Sequence, residues 1–376
     1  MMRKSLKPES TPQSPLKRST RAPTMIGVGL IAQDVLIQDG MPTTPTAGGS
    51  CGNVLAFVSW LGWKSIPIGR LGEDTAGVIV RADLEKLGVM WDHVQHNESA
   101  ETPVIIQEFV PSPEGQPVYH FRFTCPTCRG WLPRYTPPTI QMAREAMSRI
   151  RPEADALYFD RPCPAAIEVG KQVMDRGGLV LFEPSGLGDP RLFQRAVAVS
   201  TIVKYSNEHR KKFGEILDTS PPLIEIETLG PLGLRMRSRR VAKGKTWRHF
   251  AAYPVFSLRD AAGAGDACTA GLLYSLAQMR NATGWSLSQA NLARALNFGQ
   301  SLASLNCAFL GARGLMRAVS ASEAVRLAGD LLEHGDPPML ADAPAPIQGD
   351  SSVVSCNACV SVSPARSSFS SRSKHR

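Results

Sequence analysis

The 376-residue sequence contains no apolar run that approaches the ~18–20 residues needed by a membrane-spanning helix, although 43% of its residues are hydrophobic. The N-terminal region also lacks an apolar stretch of the signal-peptide type. It is basic and contains Ser and Thr, as transit peptides do, but its four prolines would break the amphipathic helix that such peptides form. We therefore expect a soluble protein with no membrane partner.

Cysteine is also scarce, with eight residues in 376. Cys51, Cys268 and Cys307 lie in apolar, patterned segments that are typical of a protein core, where a free thiol packs well. Nothing in the spacing resembles the dense disulfide framework of a small secreted domain. The composition therefore predicts a reducing, cytoplasmic location.

The formal net charge of +9 does not come from the body of the chain. Residues 1–24 contain six basic residues and one acid, and residues 351–376 contain four basic residues and no acid. Residues 25–350 are therefore balanced in charge and lack the basic face that nucleic-acid binding needs. We expect no nucleic-acid partner and interpret both basic ends as solvated, disordered tails.

From about residue 25 the sequence alternates between strand-type and helix-type segments. TMIGVGLIAQDVLI predicts a first strand that ends near Asp34, and GGSCGNVLAFVSWLGW predicts a helix opened by glycines. Later pairs, such as DALYFD followed by PAAIEVGKQVMDRGG, repeat this pattern. Such alternation predicts an α/β fold, with a mostly parallel central sheet flanked by helices on both faces.

Two β-type runs, TPVIIQEFV and PVYHFRFTC, interrupt the alternation and are joined by PSPEG. They predict a hairpin over residues 102–122. Beyond about residue 335 the sequence becomes rich in Pro, Ala and Ser. The predicted organisation is a basic disordered tail over 1–24, one domain over 25–335 and a low-complexity disordered tail over 336–376.

The stretch RDAAGAGDACTAGLLYSL, residues 259–276, places a glycine-rich turn and a single acid directly before an apolar helix. One interpretation is structural: Asp266 is a first-turn acid, and the glycines make a turn. The other is chemical, because backbone N–H groups at such a turn converge at a positive helix end and bind anions. A carboxylate beside that turn is placed to accept a proton from a hydroxyl that attacks a bound phosphoryl group.

This stretch resembles the second signature of the PfkB or ribokinase-like carbohydrate kinases, Asp-Thr-x-Gly-Ala-Gly-Asp, with Ala261 in place of the threonine. Further segments resemble the family's motifs in the family's order, and together they cover about residues 25–330. They are Asp34, Gly48-Gly49 with Asn53, GRLGEDTAG at 69–77, YSNEH at 205–209, Thr228-Leu229-Gly230 with Gly233, and the helix ending SLNCAFLGARG. The resemblance implies a ribokinase-like fold with a small β lid from about 35–47 and 102–122.

The resemblance also implies an enzyme that transfers the γ-phosphoryl group of ATP to a hydroxyl of a sugar or related small molecule. On this interpretation Asp266 is the general base, and the amides of Gly263, Ala264 and Gly265 form an anion hole for the transferring group. The two glycines leave room for close approach of the backbone to phosphate. Mg²⁺ is expected to accompany ATP.

For the acceptor, the family's pattern assigns Asp34, Gly49 and Asn53, with Asp160 after the strand DALYF as a further candidate. Asp and Asn side chains pair well with vicinal hydroxyls. Two of these residues also have a structural explanation, because Asn53 can cap its helix and Asp34 can end a strand. The lid is expected to close over the sugar and exclude water.

On the nucleotide side, the resemblance assigns Asn207 and the loop that contains Thr228, Gly230 and Gly233. Because Ala261 replaces the family's threonine, the presence of the K⁺ loop that some members carry stays an open question.

The family's Asn-x-x-Glu motif ends in Arg210 here instead of glutamate. Two explanations remain open: either Glu208 holds Mg²⁺ through water, or catalysis is weakened. The arginine itself cannot assist a cation, but it is able to contact a phosphate directly.

The sequence CPTC gives Cys125 and Cys128 the spacing of half a zinc site. Cys163 or a second subunit would have to supply the missing ligands, and a second pair, Cys356 and Cys359, lies in the C-terminal tail. The alternative is two ordinary thiols at the edge of the lid. Zn²⁺ binding is therefore one of two open hypotheses.

The sequence thus predicts an ATP-dependent carbohydrate kinase whose sugar or nucleoside acceptor is not specified. No basic pair lies beside Asp34, which favours an unphosphorylated acceptor. The competing hypothesis, motivated by Arg210 and Ala261, is a catalytically weak relative that acts as a small-molecule-binding or regulatory protein. From the family, a homodimer formed through the lid is a further expectation.

Overall fold

The computed structural model describes residues 21–38, 41–96, 100–111, 117–126, 128–150, 154–239, 246–281 and 284–336. Of the predicted tails, residues 1–20 and 337–376 lie outside the described residues. The same is true of residues 39–40 and 112–116 within the two segments predicted to form a lid.

The centre of the molecule is an eight-stranded sheet in which six neighbouring strands run parallel. Its last two strands are antiparallel and form one edge. In spatial order the strands are β15 (Arg248–Phe250), β14 (Leu234–Ser238), β13 (Ile224–Thr228), β12 (Ile202–Ser206), β11 (Leu179–Phe182), β10 (Ala156–Phe159), β1 (Thr24–Val28) and β5 (Lys64–Pro67).

Helices cover both faces of this sheet because successive side chains of each strand point to opposite faces. Along β1, for example, Met25 packs into one hydrophobic core and Ile26 into the other. One face carries α1 (Ser50–Trp60), α2 (Thr75–Lys86), α7 (Ala264–Gln278), α8 (Gln289–Asn306), α9 (Gly314–Ala318) and α10 (Ala321–His334). The other carries α3 (Ile140–Ile150), α4 (Pro164–Met174), α5 (Pro190–Ala198) and α6 (Asn207–Thr219).

A second, five-stranded sheet contains the two segments predicted to form a lid. Its strands are β2 (Ala32–Gln38), β3 (Met41–Pro42), β4 (Thr46–Gly48), β8 (Val104–Pro111) and β9 (Pro117–Arg122). The last two pair antiparallel, as the predicted hairpin requires. Two further short strands, β6 (Gly69–Leu71) and β7 (Val94–His96), pair with each other.

The predicted first strand is wrong at its carboxyl end, because the segment divides between the two sheets. Leu30 donates its amide to Asp160 Oδ1 at 2.9 Å, and a Cβ on Gly29 would lie only 1.8 Å from the same oxygen. This contact ends β1 at Val28. Asp34 consequently lies within β2, opposite Thr46 of β4, and does not end a strand.

The order of the large sheet reverses at β1, since β5 lies on one side of it and β10 on the other. In open α/β sheets, ligands bind in the crevice beyond the carboxyl ends of the strands at such a switch point. Gly29 follows β1, Asp160 follows β10 and Glu183 follows β11, so these residues meet at one edge. This edge is where a site is expected.

No helix in the described ranges combines the length and the apolar character that a bilayer crossing requires. The cytoplasmic location stays a prediction.

Candidate active site

The glycine-rich turn forms the start of α7. Gly263 is its N-cap residue, with φ at 70° in the left-handed region that favours glycine. A Cβ there would lie 2.2 Å from the carbonyl oxygen of Ala312, so the fold itself requires glycine at this position. The amides of Ala264, Gly265 and Asp266 follow in the first turn, where helical N–H groups lack an intrahelical acceptor.

Gly265 is different because the described residues give no packing reason for a glycine. Its φ is not in the left-handed region, and an added Cβ would make ordinary contacts of 3.7 Å with Glu183 Oε1 and 3.8 Å with Lys204 Nζ. Close approach of a bound anion does give a reason. In the same turn, the Ala264 amide donates to the Ala261 carbonyl at 3.2 Å.

The structure brings the predicted base into direct contact with a predicted acceptor-binding residue. Asn53 Nδ2 donates to Asp266 Oδ2 at 2.8 Å, which joins α1 to α7 across the switch point. Asn53 is buried, and the N-cap residue of α1 is Gly49. The structural explanation of Asn53 as a helix cap is therefore excluded.

The surroundings of Asp266 set its basicity. Burial raises the pKa of Asp266 well above its usual range, and the nearby Glu183 carboxylate raises it further. The hydrogen bond from Asn53 and the charge of Lys204 oppose that rise. A carboxylate whose pKa moves toward neutrality becomes a stronger proton acceptor, which is what a general base needs.

Two of the predicted acceptor-binding residues, Asp34 and Asn53, each have a buried side-chain oxygen. Asp34 Oδ1 and Asn53 Oδ1 have no hydrogen-bond partner among the described residues. Burial raises the pKa of Asp34 to about 7, against the lowering effects of the Arg313 charge and the Gly49 amide. Because buried polar atoms are normally hydrogen-bonded, these oxygens are suited to accept bonds from a bound hydroxyl compound.

Arg313 is a residue near Asp34 that sequence reasoning missed. Its Nη2 donates to the Ala47 carbonyl and to Asp83 Oδ2, both at 2.5 Å, while its buried Nη1 has no partner in the described part of the chain. The available signal in the sequence was the arginine of the segment GARG. Gly49, which faces the same region, has φ at 76°, and its added Cβ would meet a backbone carbonyl at 2.4 Å.

Asp160 holds the switch point together. Its Oδ1 accepts the Leu30 amide, and its Oδ2 accepts Arg161 Nη1 at 3.1 Å. Arg161 Nη1 also donates to Ser185 Oγ at 2.8 Å. Burial raises the pKa of Asp160, and the Arg161 charge partly offsets this. Both carboxylate oxygens are engaged within the chain, and contact of Asp160 with an acceptor stays a prediction.

Sequence reasoning also missed Lys204 and Glu183, which lie beneath the first turn of α7. Lys204 belongs to β12, is buried, and donates both to Glu183 Oε1 and to the Gly265 carbonyl, the latter at 3.1 Å. The available signals were a lysine within the apolar strand TIVKYS and an acid directly after LVLF.

The predicted nucleotide-side residues lie at neighbouring strand ends. Asn207 and Glu208 begin α6 directly after β12, and both are exposed. Thr228 ends β13, in register with Ser206, the last residue of β12. Asn207 and Thr228 therefore lie on the same edge of the sheet as Glu183, two strands or fewer away.

The two glycines of the predicted nucleotide loop differ in their surroundings. Gly233 has φ at 92°, and a Cβ there would lie 2.1 Å from the Phe250 carbonyl oxygen, so packing requires glycine. Gly230 has φ at 59° with no atom near its missing Cβ. Both conformations favour glycine for backbone reasons, and their contact with a nucleotide stays a prediction.

The Arg210 guanidinium is engaged within the chain, so the interpretation that it contacts a phosphate directly loses support. Its Nη1 donates to Tyr205 Oη at 2.7 Å and to the buried Glu225 at 3.1 Å. Its Nη2 donates to Asp218 at 3.0 Å. Arg237 completes the network through Glu225 and Asp218. The physical reason is the buried Glu225 carboxylate, which needs cationic partners.

The two cysteines of CPTC lie in different environments, since Cys125 is buried and Cys128 is exposed. Within the described ranges, no three His, Cys, Asp or Glu side chains form a group that could hold a metal ion. The described residues therefore give no support to a site that Cys163 completes with this pair, and Zn²⁺ binding stays a prediction. Cys163 instead caps α4, accepting the Ala166 amide at 3.4 Å. Cys356 and Cys359 lie outside the described residues.

No family model matches the chain. The aminoimidazole riboside kinase of Salmonella typhimurium is 27% identical over 246 residues, which are 61% of this chain and 74% of the relative.

Solved structures show the same architecture. The fructokinase of Xylella fastidiosa with bound ATP superposes with a TM-score of 0.62 at 17% identity, covering 83% of this chain and 99% of that one. The aminoimidazole riboside kinase of Salmonella enterica, complexed with aminoimidazole riboside and an ATP analog, gives 0.60 at 23% identity, covering 81% and 99%. The chain has the ribokinase-like fold. The predicted fold and the resemblance to the PfkB or ribokinase-like family are confirmed.

These ribokinase-like relatives are sugar and nucleoside kinases, which is the class of enzyme predicted from the sequence.

Proposed function

We propose that this ribokinase-like protein transfers the γ-phosphoryl group of ATP to a hydroxyl of a sugar or nucleoside. The observation that carries the proposal is the 2.8 Å hydrogen bond between Asn53 and Asp266, together with the buried Asn53 Oδ1, which has no partner among the described residues. It joins a candidate base to a candidate acceptor-binding side chain at the mouth of a helix. Two kinases of similar structure, a fructokinase with bound ATP and an aminoimidazole riboside kinase complexed with aminoimidazole riboside and an ATP analog, support the same assignment.

In the proposed reaction, Asp34 and Asn53 accept hydrogen bonds from acceptor hydroxyls and orient the molecule. Asp266 accepts the proton of the attacking hydroxyl as the O–P bond forms, and ADP leaves with the electron pair of the broken bond. The first-turn amides at Gly265 and its neighbours stabilise the negative charge on the transferring oxygens. On the nucleotide side, Asn207, Thr228, Gly230 and Gly233 are proposed to contact ATP.

Mg²⁺ would supply charge neutralisation on the phosphate oxygens when it is bound with ATP. Glu208 fits a water-mediated role because its carboxylate is exposed at the first turn of α6, at the same edge of the sheet. Arg210 takes no part in this scheme, since its guanidinium is held by Glu225 and Asp218. A K⁺ site and a lid-to-lid homodimer stay predictions.

The test is acceptor-dependent ADP formation by the purified protein with Mg·ATP. The panel contains ribose, fructose, inosine and aminoimidazole riboside, with glycerol as a control that has hydroxyls but no ring. The proposal expects at least one sugar or nucleoside to raise ADP formation well above the rate with water. A uniform rate across the panel, together with saturable binding of an acceptor, would instead support the hypothesis of a small-molecule-binding protein.

A further inference from the structure

Lys204 is a lysine that the proposed reaction does not use, although it is buried directly beneath the reacting turn. Its side chain is 1% exposed. Its ammonium donates to Glu183 Oε1 and to the Gly265 carbonyl oxygen at 3.1 Å. A buried ammonium is costly unless it is paired and hydrogen-bonded, so this placement requires a partner such as Glu183.

Glu183 connects the lysine to a second point on α7. Its Oε2 accepts the hydroxyl of Thr269 at 2.6 Å. Gly265 and Thr269 are four residues apart and therefore lie on the same face of the helix. Lys204 on β12 therefore contacts α7 at Gly265, and Glu183, directly after β11, contacts it one turn later at Thr269. We call them the Lys204–Glu183 pair.

The pair also lies close to Asp266, which occupies the same turn. Charged and titratable groups face this carboxylate from every element packed against it. They are Tyr158 on β10, Asp160 after β10, Glu183 after β11, Lys204 on β12 and Cys51 on α1. The uncharged Asn53 of α1 donates a hydrogen bond to the same carboxylate, and Cys268 of α7 lies near Lys204 and Glu183. Lys204 is the cation among them, and Glu183 is the carboxylate with the strongest effect on Asp266.

We propose that the Lys204–Glu183 pair is a positioning device for the proposed kinase reaction. It fixes the carbonyl of Gly265, so that the first-turn amides stay aimed at the transferring phosphoryl group. It also balances charge around Asp266, because the cation favours the ionised base and the neighbouring carboxylate disfavours it. Neither residue is proposed to touch the reacting atoms.

The two charges predict opposite effects of their removal. Burial is the largest single effect and lowers the pKa of Lys204, but the Glu183 carboxylate together with Cys268 and Asp266 raises that pKa overall, so that Lys204 is a cation at neutral pH. Without that cation, Glu183 stands beside Asp266 uncompensated, and Asp266 holds its proton to higher pH. If Glu183 is neutralised, the remaining cation favours ionised Asp266 at lower pH. A merely structural role would not give shifts of opposite sign.

The experiment is the pH profile of kcat/KM for acceptor-dependent ADP formation in wild type, Lys204→Met, Glu183→Gln and the double variant. We expect the acidic limb to move up by about one pH unit or more in Lys204→Met, since neighbouring charges shift a pKa by about 1–3 units. It moves down in Glu183→Gln and returns toward wild type in the double variant. Lys211→Met, an exposed lysine on α6, controls for loss of one positive charge and leaves the limb unmoved.

Acidic limbs that coincide with wild type in both single variants would overturn the proposal. Glu183→Gln keeps the shape of the side chain, so it carries the test if Lys204→Met fails to fold. Because the inference rests on the proposed function, a second measurement distinguishes failure of the inference from failure of the proposed function. Hydrogen exchange of amides 264–270 should be faster in Lys204→Met or Glu183→Gln than in Lys211→Met, even in a protein without turnover. If the wild type turns over but exchange in both variants equals that in Lys211→Met, the inference is contradicted and the proposed function is not.

Discussion

Asn53 donates its side-chain amide to Asp266 Oδ2 at 2.8 Å and leaves its own oxygen buried without a partner among the described residues. One side chain thus connects the candidate base to the candidate acceptor region. Burial raises the pKa of Asp266, and the hydrogen bond from the Asn53 amide lowers it. The Asn53 oxygen is available to accept a hydrogen bond from a hydroxyl. The first prediction concerns this connection.

Replacing Asn53 with Ala should lower kcat/KM about 10- to 100-fold, because a hydrogen bond to a charged group contributes about 1.5–3 kcal/mol. The acidic limb of the pH profile should also move to higher pH, since the donor that favours ionised Asp266 is gone. Steady-state kinetics from pH 5 to 9 measures both effects. Ser59→Ala, near the other end of α1, is the control. A profile and rate equal to the control would contradict this role for Asn53.

The two glycines of the reacting turn should respond oppositely to alanine. At Gly263, the Cβ of alanine would clash with the Ala312 carbonyl. The left-handed backbone there also costs about 1–2 kcal/mol for a residue other than glycine, so the thermal midpoint should fall. At Gly265, alanine finds room and removes the flexibility of glycine in a helix, which stabilises by about 0.5–1 kcal/mol. Calorimetry with parallel rate measurements tests the pair. Gly265→Ala should gain stability and lose turnover; full turnover would argue against an anion hole at this turn.

Arg210 should matter for stability and little for nucleotide binding. Arg210→Ala removes one of two arginines paired with Glu225, a buried carboxylate, and should destabilise the fold by about 1–3 kcal/mol. The KM for ATP should stay within about twofold of wild type, since the Arg210 guanidinium is held by Glu225 and Asp218 and is not free to contact a phosphate. Lys211→Ala, exposed on the same helix, is the matched control for urea unfolding and kinetics. A large rise in KM with unchanged stability would restore Arg210 as a phosphate contact.

Asp34 should make the stability of the ligand-free protein depend on pH. Its pKa is raised from 3.8 to about 7 in the folded state, so the folded protein binds this proton more tightly than the unfolded chain does. Stability from this group is therefore full below pH 4 and is lost as the pH rises toward 7. Between pH 5 and 8 the loss is about 2–3 kcal/mol, at 1.36 kcal/mol per pKa unit.

Urea unfolding of wild type and Asp34→Asn at pH 5 and pH 8 measures this dependence. The amide variant should lose less stability over that interval than wild type does. Equal losses in the two proteins would mean that Asp34 ionises in the folded protein as it does in water. Asp92→Asn, an exposed aspartate, controls for removal of a carboxylate.

Alternation of strand and helix patterns was sufficient to predict the fold, because each parallel strand here must be covered on both faces. The motif spacing also predicted that Asp266, Asn53 and Asp34 serve one region, and the structure joins the first two directly. These features are local in sequence: each motif lies at a strand end or a helix start. Because the carboxyl ends of parallel strands lie at one edge of the sheet, the fold brings these motifs together there.

The parts that could not be predicted depend on contacts between distant segments. Whether Asp34 ends a strand is decided by Asp160, which accepts the Leu30 amide and divides the segment between two sheets. The partners of Arg210 on α6 include Glu225 on β13, and the pairing of Lys204 with Glu183 joins β12 to the residue directly after β11. A lysine within an apolar strand predicts only that it needs an acidic partner. Which residue is that partner depends on the tertiary fold.

The most direct test of the account is turnover of Asp266→Asn with the best acceptor from the panel. The amide keeps the size of the side chain but cannot accept the proton, so kcat should fall by about 10²–10⁴-fold, the usual loss for a general base. ATP binding, measured by calorimetry on the same sample, should remain close to wild type. A variant that binds ATP and forms ADP at nearly the wild-type rate would contradict the central claim that Asp266 is the base.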